Sequence, residues 1–137
     1  MWAALLLMAA TPLSEPPDQL AGELRAAIWD DLMLNAMIGN GNWLGSLWYN
    51  ASTGDEAKPD LHIADLRCGS GGSRLNCSFS LFRDGGVKVV LNQAAPDELV
   101  CNAIVVRTDD DGWGIKHLPP PKGRGHTRTT MKCRVAS

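Results

Sequence analysis

The side chains in this sequence that could do chemistry are four cysteines, three histidines and a run of three aspartates, and their spacing sorts them. Cys68, Cys77, Cys101 and Cys133 are separated by 8, 23 and 31 residues, and no C-x2-C pair or His-x3-His partner offers the spacing of a zinc site. An even cysteine count in a small chain reads instead as a disulfide framework, which belongs outside the reducing cytosol. Asp109, Asp110 and Asp111 before Gly112 suggest a calcium loop until the register is tested. With Gly112 at the sixth position, the first ligand falls on Arg107 and the twelfth on Leu118, where a glutamate is needed. The segment is better read as a hairpin tip. No metal and no cofactor is expected.

Catalysis fares little better. His62, His117 and His126 could each act as a base only beside a nucleophile and an orienting acid. Ser70 lies in Cys68-Gly69-Ser70-Gly71-Gly72, where Cys68 replaces the first glycine of a nucleophile elbow and a strand follows in place of a helix. The first expectation is therefore a non-enzymatic binding or structural protein of the cell envelope. A small secreted hydrolase using His117 or His126 is the alternative. The tryptophans at 29, 43, 48 and 113 could floor a binding site or fill a core, and with only two phenylalanines the core must take most of them. Because Trp48 and Tyr49 are adjacent, one of that pair is expected to face solvent, and the two are the candidate aromatic contacts.

Charge is the most specific feature. The formal net charge of -2 averages two unlike regions: residues 1–111 hold seven Lys or Arg against fifteen Asp or Glu, and residues 112–137 hold six Lys or Arg and no acid. Lys122, Arg124, Arg128, Lys132 and Arg134 are candidates for contact with an anionic envelope surface, such as lipopolysaccharide or phospholipid head groups. The competing expectation, which the placement of Cys133 favours, is that the basic tail folds back on the acidic body, since charges must lie within about a Debye length to attract. Nucleic acid is disfavoured, as no aromatic residue is interleaved with the basic ones.

These residues need elements to hold them. Residues 1–10, MWAALLLMAA, are apolar throughout; a spanning helix needs about 20 such residues, a signal-peptide core about 7 to 15. The reading is a signal peptide at 1–10, no transmembrane span, and export to the periplasm or outside the cell. A Pro-rich lead-in covers 11–17, a single α+β domain 18–118, and a basic extended tail 119–137 tied back by Cys133. Leu20, Leu24, Ala27, Ile28, Leu32, Leu34 and Ile38 recur at helical spacing, with Glu23, Arg25, Asp30 and Asp31 on the far face, predicting one N-terminal amphipathic helix that Asp18 opens and 39–42, Gly-Asn-Gly-Asn, ends. Gly39-Asn40-Gly41 is no dinucleotide fingerprint, for it follows a helix and its third glycine would be Leu44. A first strand is expected at 43–49, then strands at 61–68, 74–83, 87–92, 98–108 and 113–118, joined by turns too short for parallel crossovers.

The predicted fold class is thus α+β: the helix packed on an antiparallel meander of about five strands, disulfide-stabilised. Alternation turns Leu75, Cys77, Phe79 and Leu81 inward, and Ala64, Leu66 and Cys68 likewise. Of the three possible pairings, Cys68 with Cys77 across the glycine-rich turn is the easiest to close, leaving Cys101 for Cys133. The run 99–106 is apolar on both faces and is expected at the centre of the sheet, its second face covered by the tail or by 43–48.

Overall fold

The computed structural model describes residues 13–51, 60–70, 73–85, 88–90, 92–120 and 127–136; the apolar leader at 1–10 lies outside them. Two helices, α1 (Asp18–Ile38) and α2 (Trp43–Asn50), precede β1 (Asp60–Ser70), β2 (Arg74–Asp84), β3 (Val89–Val90), β4 (Gln93–Ala94) and β5 (Glu98–Arg107). The chain continues through β6 (Trp113–Ile115), β7 (His117–Leu118), β8 (Arg128–Thr129) and β9 (Lys132–Val135). The main sheet runs β1-β2-β5-β6, all antiparallel, with β9 also paired to β5. This is the α+β meander that the turn spacing demands, with β3 and β4 forming a small side hairpin and β7 pairing β8.

Residues 43–50 are a helix, not the expected strand. Leu44, Leu47, Trp48 and Ala51 recur at helical spacing, and Leu47, Trp48 and Ala51 are buried. The Asn42 side chain caps the first turn by accepting from the Gly45 N–H at 3.2 Å. By contrast α1 has no side-chain cap: Pro17 occupies the cap position and its carbonyl accepts from Ala21 at 2.8 Å, while Asp18 sits in the first turn. Acidic charge there complements the helix dipole.

Strand β1 carries a second correction. Asp65 adopts φ 54°, and the pairing with β2 shifts between Ala64 and Arg67. A bulge of this kind inserts one residue and reverses the facing of what lies beyond it. Leu61 and Ile63 therefore pack on the core before the bulge, and Leu66 and Cys68 after it, so Ala64 is not part of the inward row. Alternation along β2 holds: Cys77, Phe79 and Leu81 are buried. Strand β5 is central in the ladder, with Leu99, Cys101, Ala103 and Val105 buried, and its other face stays partly open, with Asn102 exposed and Val100 and Ile104 half-buried. The segment 113–118 divides because Trp113–Ile115 pairs with β5 and His117–Leu118 turns away to pair with β8.

The disulfides are Cys68–Cys77 and Cys101–Cys133, each joining directly opposed residues on neighbouring strands with Cα atoms 4.1 Å apart. Loop closure over 9 and 32 residues corresponds to about 2.6 and about 3.7 kcal/mol of unfolded-state entropy respectively. The core between helices and sheet contains Leu24, Ile28, Leu32, Trp48, Phe79, Leu81, Leu99 and Val105, all at most 2% exposed.

Helix α1 does not divide cleanly into an apolar inner and a polar outer side. Its first three turns bury Ala21, Leu24, Ala27 and Ile28, with Glu23 and Arg25 outside. In its last two turns, Asp31 and Asn35 face inward while Met33, Leu34, Met37 and Ile38 are exposed. Among the described residues no helix is long and apolar enough to cross a membrane.

Candidate functional site

The inward polar residues of α1 explain how the next two segments are held. Buried amides and carboxylates must be hydrogen-bonded or they destabilise the fold, and here each one fixes part of the loop 39–42 or of the tail. Asn35 Oδ1 accepts from the Asn40 N–H at 3.0 Å, and Asn35 Nδ2 donates to the Asn42 carbonyl at 2.7 Å. Asn40 Nδ2 donates to Asp31 Oδ1 at 3.3 Å. Gly39 and Gly41 adopt φ 76° and 104°, geometry that side-chain-bearing residues resist. Asn42, besides capping α2, donates to Cys133 Sγ at 3.7 Å, which couples the cap to the second disulfide.

Asp31 is the centre of the arrangement. It is 5% exposed. The Thr129 hydroxyl donates to its Oδ2 at 2.7 Å, and His117 Nε2 lies 2.5 Å from its Oδ1. The far ring nitrogen of His117 is 2.7 Å from the Thr127 hydroxyl. The Thr129 N–H donates to the Asn40 carbonyl at 2.8 Å, and the Met131 N–H donates to Thr129 Oγ1 at 3.0 Å. One buried carboxylate thus gathers α1, the loop 39–42, β7 and β8. With the Cys101–Cys133 bond and the β5–β9 ladder, it folds the described part of the tail onto the body.

What this builds on the surface is a tryptophan between two grooves. Trp43 is 53% exposed. On one side lies a groove of about 190 Å³ walled by Asn35, Gly39 and Ser46. On the other is a groove of about 340 Å³ walled by Leu44, Met131, Arg128 and Lys132, with Gly41, Asn42 and Trp43 common to both. Arg128 and Lys132 are exposed, and among the described residues no acid lines either groove. A Cβ at Gly41 would meet Arg128 only in ordinary contact, 3.5 Å from Nε, so the glycine serves the positive φ of the loop and not the approach of the guanidinium. Elsewhere, a cleft of about 130 Å³ lined by Glu15, Asp18 and Asp65 with Arg25 and Arg67 mixes charges of both signs.

The sequence-based candidates fall unevenly. Lys122 and Arg124 lie outside the described residues, as does His126. Arg128 and Lys132 flank Trp43, whereas Arg134 is exposed on β9 away from the groove lining. Trp48 is no surface contact: it is completely buried and stacks on Trp29 with ring centres 6.0 Å apart. Tyr49 is half-buried against the core. Among the described residues the exposed tryptophan is Trp43, hidden by the strand reading; the helical stripe of 44, 47, 48 and 51 would have left it outside. His62 stacks on Phe82 at 4.6 Å and lies 3.3 Å from Asp84, on β1 of the main sheet, whereas His117 is on β7, which pairs with β8. Among the described residues no three His, Cys, Asp or Glu side chains converge to hold a metal ion. Comparison with protein-family models, with curated proteins and with solved structures gave no match.

Proposed function

We propose that this is an exported, non-enzymatic binding protein that recognises anionic envelope surfaces through the groove formed by Trp43, Arg128 and Lys132. The groove carries the reading: among the described residues, two exposed cations and a half-exposed indole line one concavity, with no acid. Planar guanidinium and flexible ammonium groups complement phosphate and carboxylate, and an indole adds contact area with little loss of side-chain freedom. Export is supported by the two disulfides and by the apolar composition of residues 1–10.

The test is titration with dextran sulfate, a soluble polyanion. Binding should weaken with salt. Each cation near an anionic surface contributes about 1 kcal/mol, so Arg128→Ala with Lys132→Ala should weaken binding about thirtyfold. Affinity that ignores both salt and the substitutions would overturn the reading.

One observation favours a hydrolase as the second reading: His117 stands between the Thr127 hydroxyl and Asp31, beside a groove of about 200 Å³ that Trp113 also lines. A neutral ring donating Nε2–H to Asp31 would accept the Thr127 hydroxyl at Nδ1, the relation of a base to a nucleophile. Against it, the same carboxylate is committed to Thr129 and Asn40, which makes it a structural anchor. Turnover of p-nitrophenyl esters lost in both Thr127→Ala and His117→Gln would establish the hydrolase; no turnover by the parent protein would dismiss it.

A further inference from the structure

We infer that the anionic surface is a phospholipid bilayer, and that the exposed apolar end of α1 enters it together with Trp43 while Arg128 and Lys132 engage the head groups. The inference rests on the binding role proposed for the groove and adds to it a partner and a mode of contact.

Four side chains in the last two turns of α1, Met33, Leu34, Met37 and Ile38, are 39 to 74% exposed. At 100° per residue they cover one arc of about 140° that borders the inward face, Ile38 lying almost in line with Asp31 two turns earlier, and the exposed Asp30 sits one turn below it. Isolated exposed apolar residues are ordinary, but a contiguous set signals an interaction surface. The arc runs directly into the Trp43 grooves, because Gly39, the residue after Ile38, already lines the first of them. No charged residue occurs between Asp31 and Asp55. The positive charge beside this uncharged stretch is imported from the tail through Arg128 and Lys132.

Charge complementarity selects the occupant. An apolar partner protein or a second copy would need no cations at the rim, and a soluble anion would need no apolar arc. An anionic bilayer needs both. Tryptophan settles at the head-group level, aliphatic and thioether side chains enter the acyl boundary, and basic residues meet phosphates, the three parts of an interfacial anchor.

The experiment is co-sedimentation of the intact protein with vesicles of phosphatidylglycerol and phosphatidylcholine, against phosphatidylcholine alone, with bromine-labelled acyl chains reporting tryptophan depth. Binding is expected only to the anionic vesicles, with quenching that Trp43→Phe removes. Met37→Gln with Ile38→Gln, both exposed and so neutral to folding, should lower vesicle binding about tenfold or more while leaving dextran sulfate affinity unchanged. Equal binding to both vesicle types, or vesicle binding by the Met37→Gln, Ile38→Gln variant as tight as the parent's, overturns the inference. So does a dimer in sedimentation equilibrium that this variant dissociates, since a second copy would then cover the arc. Loss of dextran sulfate binding in the parent would instead count against the groove itself, so the two failures are told apart.

Discussion

The two halves of α1 make opposite use of the same helix. Its first half follows the ordinary rule, with Leu24 and Ile28 completely buried and Glu23 and Arg25 in solvent. Its second half keeps Leu32 in the core but sets Asp31 and Asn35 inside beside it and leaves Met33, Leu34, Met37 and Ile38 outside. The first half holds the fold together by apolar burial, which needs no direction. The second holds a particular loop and tail by hydrogen bonds, which do. A protein that only needed stability would not place a carboxylate and an amide at buried helix positions and leave aliphatic groups in water. The inversion is where the loop and tail are positioned and where an apolar surface is left exposed.

That contrast can be broken at its strongest point. Asp31→Ala removes the acceptor shared by His117, Thr129 and Asn40; losing one side of a buried charged network costs about 3 to 5 kcal/mol. Thermal and urea melts should register this, whereas Asp30→Ala, on the exposed neighbour, should stay within about 0.5 kcal/mol. The disulfides come next. Cys101→Ser with Cys133→Ser should cost about 3.7 kcal/mol, more than the about 2.6 kcal/mol of the Cys68, Cys77 pair, because the loop is longer. An equal loss for the two pairs, or no change of the melt in dithiothreitol, would show that the bridges do not act through chain entropy.

Within the helix itself, Leu24→Ala should destabilise by about 3 kcal/mol. Met37→Gln should change stability by less than about 0.5 kcal/mol; a larger loss would mean the exposed arc is covered. Gly45→Ala sharpens the account at the next segment, since a Cβ there would collide with the Asn42 amide that caps α2. Loss of the cap is worth about 1 kcal/mol. Smallest of all is Asp110, whose carboxyl is held below the usual aspartate value by the Thr108 hydroxyl first and then by the Gly112 N–H. A depressed folded-state pKa contributes stability above the usual range that is lost as pH falls through the folded value. An NMR titration should place its midpoint low, and Thr108→Val should raise it.

Much of the architecture was legible because it depends on local spacing. Alternation in β2 and the short turns dictate an antiparallel meander, and opposed inward cysteines follow from it. The bulge at Asp65 was not legible, since a single left-handed aspartate leaves no mark on hydrophobic periodicity and yet reverses which of Ile63 and Ala64 faces in. Helix α2 was legible but misread: 43–49 is rich in strand-forming aromatics, and the decisive features are an asparagine cap and the 44, 47, 48, 51 stripe. The basic residues of the tail were visible as charges, and so were the acids of the body, but among the described residues no ion pair joins a tail Lys or Arg to one of them. Their junction was not, because it runs through Asp31, Asn35, Asn40 and Thr129, polar residues that read as surface positions until burial is known.

The central claim is that the binding face is composite, assembled by locking the tail against the inverted end of α1. Thr129→Val tests it most directly, since it deletes the hydroxyl that donates to Asp31 and changes no charge. If the lock positions Arg128 and Lys132, dextran sulfate affinity falls about tenfold at constant net charge, as the cost of ordering a loosened arm returns. Unchanged affinity would contradict the account, for the tail would then bind as a free basic arm.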